Sequence, residues 1–281
     1  MLIDAHHHLW QVGRHGFEWP TPDLSPIYRD FGMNDLRAAA PALTGTVVVQ
    51  SQPSEADTAW LIDSLEDDPL VLGIVGWTDL AAPEAPARIA ALAQRPKLKG
   101  LRPMLQGLPD DDWILRPDVA RGIEAMIAAN LTFDALVFTR HLPVIGTLAT
   151  RYPDLRIVTD HGAKPPIATN RLRPEETLAW FEAISAVATS PNVTCKLSGL
   201  RTEMRSDQPV EEVAPYLDHL IDTFGAERLL FGSDWPVLEL RDRWREWHGL
   251  VTAHLNHLTD SERDDIFGYN TIKAYNIQGC P

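Results

Sequence analysis

The sequence predicts an α/β fold, a (β/α)8 TIM barrel built as a single domain. Three observations support this prediction: eight apolar runs of strand length, segments of helical periodicity between them, and no linker that divides the chain. Strands that alternate with helices form βαβ units and a parallel sheet. Eight units in about 250 residues are typical of this barrel, so we assign residues 1–281 to one domain.

The predicted strands are rich in Val, Ile, Leu and Phe and do not alternate strictly between apolar and polar residues. This pattern is expected for strands that are covered on both faces. The eight runs are 1–6 (MLIDAH), 44–50 (TGTVVVQ), 70–77 (LVLGIVGW), 97–104 (KLKGLRPM), 131–138 (LTFDALVF), 155–161 (LRIVTDH), 192–199 (NVTCKLSG) and 228–235 (RLLFGSDW).

Six segments between these runs have helical periodicity, and several of them open with Ser, Asp or Pro, which favour helix starts. They are 54–68, 83–95, 117–130, 141–153, 174–189 and 210–225. The competing architecture is a doubly wound open sheet. Its nucleotide-binding forms lose support because no GxGxxG follows the first strand and no GxxxxGK[ST] occurs.

The segment 13–30 is an exception to the short connections of the rest of the chain. It follows the first predicted strand and carries the aromatic residues Phe17, Trp19 and Tyr28. We therefore expect this segment to be a candidate lid over the mouth of the barrel.

Composition narrows the class of partner. The formal net charge of −14 argues against a nucleic-acid partner, since phosphate binding needs a basic surface. No window reaches the ~20 apolar residues of a membrane span, and Cys195 and Cys280 alone form no disulfide framework. We expect a cytoplasmic protein with a small-molecule substrate, and a homo-oligomer stays an open alternative to a monomer.

Polar residues occur at the C-terminal ends of seven predicted strands, where barrels of this kind place their functional side chains. His6 and His8 share one face of the first strand because side chains alternate along a strand, and His7 lies on the other face. Burying so many polar groups costs free energy unless they are paired or used. The remaining candidates are Gln50, Arg102, His141, His161, Lys196 and Asp234.

Several motifs resemble those of the amidohydrolase superfamily, in particular the amidohydrolase-2 branch that contains the fuconolactone and rhamnonolactone hydrolases. They are DAHHHLW, KLKGLRPMLQ, RHLP, VTDHGAKPPIA, NVTCKLSGL and LLFGSDWPV, and they run from the first strand to the last. The resemblance implies a barrel that hydrolyses a lactone ring. It carries over the two histidines of the HxH motif to His6 and His8, the sixth-strand histidine to His161 and the eighth-strand aspartate to Asp234.

The chemistry of these residue types agrees with that resemblance. Asp234 is the candidate general base that takes a proton from the attacking water. His6, His8 and His161 either polarise the lactone carbonyl directly or hold a divalent ion that does so. Further candidates for substrate binding are Arg102, whose guanidinium suits a carboxylate or oxyanion, together with Lys196, Arg140, His141, Gln50 and the pocket-wall residue Trp235.

The metal requirement stays open at this point. One ion could be held by nitrogen and oxygen ligands that suit zinc or manganese, and the candidate ligands are His6, His8, His161 and Asp234. Members of the lactonase branch are also thought to work without a metal, which is the alternative.

Two other functions compete with lactone hydrolysis. Decarboxylases of aromatic or muconate-type acids share the HxH motif and the eighth-strand aspartate, and they depend on a tightly held metal. A non-enzymatic barrel that binds a metabolite or a metal is the second alternative. The presence of Asp234 beside His6 and His8 argues against it, since a protein that only binds needs no base.

Overall fold

A computed structural model describes residues 1–279, and in it eight parallel strands form one sheet in which neighbours follow the order of the chain. The amide of His8 donates to the carbonyl of Trp235 (2.7 Å) and the amide of Asp234 to that of His6 (2.8 Å), which joins the first and last strands. The predicted barrel is therefore confirmed. Its strands are β1 (Ile3–His7), β2 (Gly45–Val49), β3 (Val71–Gly76), β4 (Leu98–Leu101), β5 (Thr132–Ala135), β6 (Ile157–Thr159), β7 (Val193–Leu197) and β8 (Leu229–Phe231).

Strands β2 to β8 lie within their predicted apolar runs and end before them, whereas β1 extends one residue beyond its run, to His7. In β2 every residue is buried, as its three consecutive valines suggest. The ends of the runs leave the sheet as loops, so Arg102 follows β4, His161 follows β6 and Asp234 follows β8. The barrel thus places the predicted functional side chains together at one end.

Ten α-helices surround the strands within residues 1–279. The six predicted helices are confirmed as α2 to α7, and α2 begins after Ser54, whose hydroxyl accepts from the amides of Ala56 and Asp57. Three of the others have only five to seven residues, too few for a periodic pattern. The helices are α1 (Met33–Ala39), α2 (Glu55–Leu65), α3 (Ala85–Leu92), α4 (Pro117–Ala128), α5 (Leu142–Arg151), α6 (Pro174–Ala188), α7 (Ala214–Phe224), α8 (Trp244–His254), α9 (Asp260–Asp264) and α10 (Asn270–Ala274).

The C-terminal segment packs against the strands. The hydroxyl of Thr132, the first residue of β5, donates to the carbonyl of Ala274 (2.7 Å). Tyr275 and Ile277 join an apolar cluster with residues of five strands: Ala5, Val47, Val49, Val75, Val158 and Leu230. The chain from α10 onward therefore covers the end of the barrel where the strands begin.

Two further points concern the cysteines and the possibility of a membrane-spanning helix. Cys195 is a free, buried thiol, and Cys280 lies outside the described residues. Within residues 1–279, we find no helix with the length and apolarity that crossing a bilayer requires.

Candidate active site

Three histidines and one carboxylate meet beyond the ends of β1, β6 and β8. The Nε2 atoms of His6 and His8 are 3.1 Å apart. Asp234 Oδ1 lies 3.3 Å from His8 Nε2, 3.7 Å from His6 Nε2 and 3.8 Å from His161 Nε2. All four side chains are buried. The structure thus brings together the four residues predicted to be catalytic.

The backbone at two of these residues is unusual. His161 and Asp234 have positive φ values of 55° and 60°, which are rare for residues other than glycine and concentrate at functional sites. Gly199 allows the imidazole of His161 to approach closely, because a Cβ at this position would lie 2.5 Å from His161 Nδ1. The glycine of the CKLSG motif is therefore needed to seat His161.

The buried carboxylate of Asp4 connects β1, which carries His6, with the loop after β8, which carries Asp234. Its Oδ1 accepts from the amides of His6 (3.1 Å) and Ser233 (2.9 Å), and its Oδ2 accepts from Trp244 Nε1 (2.9 Å). Burial raises the pKa of Asp4 and these hydrogen bonds lower it, with a net rise. Asp4 was not among the predicted site residues, and it holds β1 and the loop after β8 in register.

Each histidine is oriented through its Nδ1. The Nδ1 of His8 lies 2.7 Å from the carbonyl of Val49, which can only accept, so this nitrogen carries the proton. The Nδ1 of His161 lies 2.9 Å from Ser198 Oγ. The Nδ1 of His6 instead faces charged groups, which lie beneath the site.

A buried network of charges supports His6 from below. Lys196 Nζ donates to Asp134 Oδ2 (2.6 Å) and Asp160 Oδ1 (2.9 Å) and lies 3.0 Å from His6 Nδ1. Arg102 donates to Asp160 Oδ2 (3.2 Å). Burial raises the pKa of Asp134 to about 6, and the charge of Lys196 opposes that rise. For Asp160 the charges of Lys196 and His6 outweigh burial and hold the pKa well below its usual range.

The protonation of the cluster favours a base at Asp234. Burial lowers the pKa of His161 to about 4. Burial, followed by the charge of Lys196, holds the pKa of His6 well below its usual value. Burial pushes the pKa of Asp234 upward, but the attraction of His161, which is charged only at low pH, and the hydrogen bond from His8 outweigh burial, so the pKa is lowered. At neutral pH the site therefore contains an ionised Asp234 beside neutral His6 and His161.

A cavity of about 210 Å³ opens above the cluster. Its floor includes His8, His161, Asp234 and Arg102, and its wall is formed by Glu18, Trp19, Ser51, Gln52, Pro53, Met104, Gln106, Leu136, Lys164 and Val237. Glu18 and Trp19 belong to the segment 13–30. Its role as a lid stays a prediction, but two of its residues do line the cavity.

The side chain of Gln52 fastens that segment to the loop after β2. Its Nε2 donates to the carbonyl of Trp19 (2.6 Å), and its Oε1 accepts from the amide of Glu18 (2.8 Å). Asp57 in turn accepts from the amides of Ser51 (3.1 Å) and Gln52 (3.3 Å). The wall of the cavity is thus fixed by hydrogen bonds that sequence patterns do not show.

Several residues predicted to bind substrate lie away from the cavity wall. Gln50 is buried and donates to the carbonyl of Arg102 (2.9 Å), and Trp235 is buried with its Nε1 donating to Glu239 (2.8 Å). Arg140 Nε and His141 Nε2 lie 2.9 and 3.0 Å from Asp111 Oδ1.

Lys196 is fully buried beneath the cavity. A role in substrate binding stays a prediction for the five residues that lie away from the cavity wall, which are Gln50, Arg140, His141, Lys196 and Trp235. Lys164, which was not among the predicted site residues, lines the cavity, and its Nζ lies 3.6 Å from Glu203 Oε1.

The donor set fits one divalent ion. His6, His161 and Asp234 each offer a ligand atom, and these atoms lie within 4.8 Å of one another. His8 adds an Nε2 that is 3.3 Å from Asp234. Imidazole and carboxylate ligands of this kind suit zinc and other first-row divalent ions, and the bonds at Nδ1 of His8 and His161 are the supporting contacts expected of such ligands.

Comparison with known proteins agrees with this geometry. Residues 3–277 match the family model Amidohydro_2, which describes amidohydrolases. The chain is 46% identical to an L-fucono-1,5-lactonase of Burkholderia ambifaria, over 98% of this chain and 95% of the relative. It is 32% identical to an L-fucono-1,5-lactonase of Burkholderia multivorans, over 98% and 96%. A zinc-bound crystal structure of an amidohydrolase from Burkholderia multivorans superposes with a TM-score of 0.92 at 31% identity and covers 99% of both chains.

Proposed function

The chain belongs to the amidohydrolase family, and from this premise we propose that it hydrolyses the ring ester of a sugar-acid lactone, with L-fucono-1,5-lactone as the type of substrate. The observation that carries the proposal is the ionised Asp234 among His6, His8 and His161 on the floor of the cavity. The two fuconolactonases similar to this chain support the choice of substrate class.

Asp234 acts as the general base. A water molecule above the cavity floor gives a proton to Asp234 as its oxygen attacks the lactone carbonyl carbon. The lowered pKa keeps the carboxylate ionised and ready to accept that proton at neutral pH. The ring C–O bond then breaks as the proton held by Asp234 passes to the ring oxygen, which leaves as a hydroxyl. The carboxylic acid that forms releases the other proton of the water to solvent and becomes a carboxylate.

The histidines and Arg102 stabilise the charge that develops on the carbonyl oxygen. Donors fixed in a buried site need no reorganisation during the reaction, which makes them effective for an oxyanion. His8 and His161 line the floor and His6 is buried behind them, and Arg102 lines the cavity while its Nη1 is held by Asp160. Positive charge from Lys164 at the wall also suits an acid product.

The size of the cavity supports a small substrate. Its volume of about 210 Å³ lies below the ~300–1,000 Å³ of sites for drug-sized ligands. The polar wall groups Glu18 and Gln106 offer partners for the hydroxyl groups of a sugar acid. We place the reaction in carbohydrate catabolism on these grounds.

A divalent ion, zinc or manganese, belongs to the proposal as a group that His8, His161 and Asp234 would hold with His6. When bound, it would supply Lewis-acid polarisation of the carbonyl and acidify a bound water. The proton acceptance by Asp234 and the contacts of the cavity wall are properties of the chain itself.

The test is proton release from a panel of aldonolactones in weak buffer, with chelator-treated protein and with added zinc or manganese. Turnover of a fuconolactone-type 1,5-lactone above the spontaneous rate is expected. An Asp234→Asn variant, measured in parallel, corrects for contaminating lactonase. No turnover of any lactone with either preparation would contradict the proposal and favour a metal-dependent decarboxylase, which release of CO2 from aromatic acids would then reveal.

A further inference from the structure

Lys164 is placed in the wall of the cavity by an unusual turn after β6. The four consecutive residues from His161 to Lys164 have positive φ values of 55°, 57°, 59° and 51°, although only Gly162 is a glycine. The amide of Lys164 donates to the carbonyl of His161 (2.9 Å) and closes this turn. Other residues rarely adopt this left-handed conformation, which persists where the surrounding structure enforces it and is common at functional sites. The turn brings Lys164 to the cavity that His161 and Asp234 also line.

The ammonium of Lys164 has N–H groups that the protein does not use. Lys164 pairs with Glu203, and the distance from Nζ to Glu203 Oε1 is 3.6 Å. That separation exceeds the ~2.7–3.2 Å of an N–H···O hydrogen bond. An ammonium has three N–H groups, and within residues 1–279 no other acceptor lies at hydrogen-bond distance from this one. Since 21% of the side chain is exposed, the remaining N–H groups can reach a ligand in the cavity.

The second cation of the cavity, Arg102, is held by the protein. Its Nη1 donates to Asp160 Oδ2 (3.2 Å) and its Nη2 donates to the carbonyl of Gln50 (2.5 Å). Only 2% of Arg102 is exposed. Arg102 therefore acts on a ligand mainly through its charge, whereas Lys164 can also donate hydrogen bonds to it.

The charges around the cavity show what this ammonium offers to the product of lactone opening. Among the lining residues, Glu18 and Asp234 are acidic and Arg102 and Lys164 are basic, so their formal charges cancel. Opening a neutral lactone creates a carboxylate in a space of about 210 Å³, where the ionised Asp234 repels it. Lys164 can offset this repulsion through a charge-assisted hydrogen bond, which is stronger than a bond between neutral groups.

We propose that Lys164 binds the carboxylate of the ring-opened acid, so that the acid competes with the lactone for the cavity. The identity of the acid rests on the proposed function. The preference of the cavity for an anionic over a neutral polyhydroxylated ligand is a property of the free protein. Removing the charge of Lys164 should therefore weaken the binding of the acid and leave that of a neutral ligand unchanged.

Calorimetric titration with L-fuconate and with L-fucitol, the neutral polyol of the same carbon skeleton, tests this assignment at equal metal content in every variant. The wild-type protein is expected to bind the acid more tightly than the polyol. Lys164→Met should bind the acid on the order of 10-fold more weakly, the effect expected when a hydrogen bond to a charged group is lost, with no change for the polyol. Lys164→Arg keeps the charge and should retain most of the acid affinity.

The matched control is Lys273→Met, which removes the same charge from an exposed position in α10 and should bind both ligands as the wild-type protein does. Equal acid affinities of the wild-type protein and Lys164→Met would overturn the proposal. An equal loss for acid and polyol would also overturn it, because Lys164 would then bind hydroxyl groups, as would a wild-type protein that binds no acid. If Lys164→Met does not fold, as judged by circular dichroism, Lys164→Gln takes its place with the same criteria.

Lactone turnover gives a second readout and separates this proposal from the proposed function. Added L-fuconate should inhibit the wild-type enzyme competitively, and Lys164→Met should need about 10-fold more acid for the same inhibition. Turnover with equal inhibition of both proteins would reject the role of Lys164 and leave the lactonase proposal intact. No turnover of any lactone, combined with weaker acid binding by Lys164→Met, would reject the lactonase proposal and leave the anion site.

Discussion

At the scale of single residues, Asp234 carries the largest share of the proposed chemistry. Asp234→Asn keeps the size of the side chain but removes its capacity to accept a proton. We expect kcat to fall on the order of 10² or more, with the fold retained. Initial rates of lactone hydrolysis, with circular dichroism as the check on folding, measure this. Asp154→Asn, an exposed position before β6, is the control, and near-normal turnover by Asp234→Asn would remove it from the mechanism.

The pH dependence of kcat/KM follows from the same residues. The pKa of Asp234 is lowered, and that of His161 is lowered to about 4 by burial. An acid with a lowered pKa stays ionised, and a histidine with a lowered pKa stays neutral, until the pH falls to those values. Activity should therefore be flat between about pH 5 and 8 and fall only toward pH 4 and below. An acid limb centred above about pH 6, after subtraction of spontaneous hydrolysis, would show that another group is the base.

Sequence patterns predicted the cluster of His6, His8, His161 and Asp234 because each of its members occupies a strand end within a recognisable motif. The alternation of side chains on β1 placed His6 and His8 together, as their 3.1 Å contact confirms. The partners of Lys196 were beyond that reasoning, since Asp134 lies on β5, 62 residues away, and Asp160 directly follows β6, 36 residues away. A charged residue at a strand end looks the same in a sequence whether it faces a substrate or a buried carboxylate.

At the scale of elements, the segment 13–30 depends on Gln52 for its position. Gln52→Ala removes the bonds to the carbonyl of Trp19 and the amide of Glu18. We expect KM to rise roughly five-fold with little change in kcat, the factor that corresponds to about 1 kcal/mol of lost hydrogen bonding. Hydrogen exchange at the amides of Glu18 and Trp19 should accelerate in the same variant.

The matched control is Gln94→Ala, which truncates an exposed glutamine just after α3 whose side chain donates to the carbonyl of Ala90. It should leave both KM and exchange unchanged. Slow exchange at Glu18 in Gln52→Ala would mean that packing, such as that of Trp19 on Trp10, holds the segment without Gln52. The position of the segment 13–30 would then not be controlled by Gln52.

Six of the helices were predicted from local signals, whereas α8 was missed although it is as long as α2. Helices α2 to α7 have start signals and a period long enough to recognise, whereas α9 and α10 have five residues each and no such period. The partners of the segment 13–30 were not predictable, because the bond of Gln52 to Trp19 joins positions 33 residues apart through loop geometry. Local propensity contains no information on such contacts.

At the scale of the whole molecule, hydrogen bonds complete the ring of strands, and an apolar segment covers one end of the barrel. Backbone hydrogen bonds between β1 and the loop after β8 complete the ring of strands, and the C-terminal segment covers the opposite end with Tyr275. The alternation of strands and helices predicted the ring itself. It did not predict the C-terminal cover, because Tyr275 and Ile277 follow a helix of only five residues, which is too short for a periodic pattern.

The last prediction concerns this cover. The hydroxyl of Tyr275 donates to Asp134 Oδ2 (2.7 Å), so Tyr275→Phe leaves a buried carboxylate with one donor fewer. We expect a loss of about 1–3 kcal/mol, with Tm lowered by roughly 2–4 °C for each kcal/mol. Burial raises the pKa of Asp134 to about 6, and the bond from Tyr275 opposes that rise.

Because the lost bond serves the ionised carboxylate, the destabilisation should be larger at pH 8 than at pH 4.5, where Asp134 is protonated in the folded protein. Thermal unfolding at both pH values measures it. Tyr269→Phe, which alters a half-exposed tyrosine five residues before α10 ends, is the control. An equal Tm for the two variants at pH 8 would show that the apolar ring of Tyr275, and not its bond to Asp134, closes the barrel.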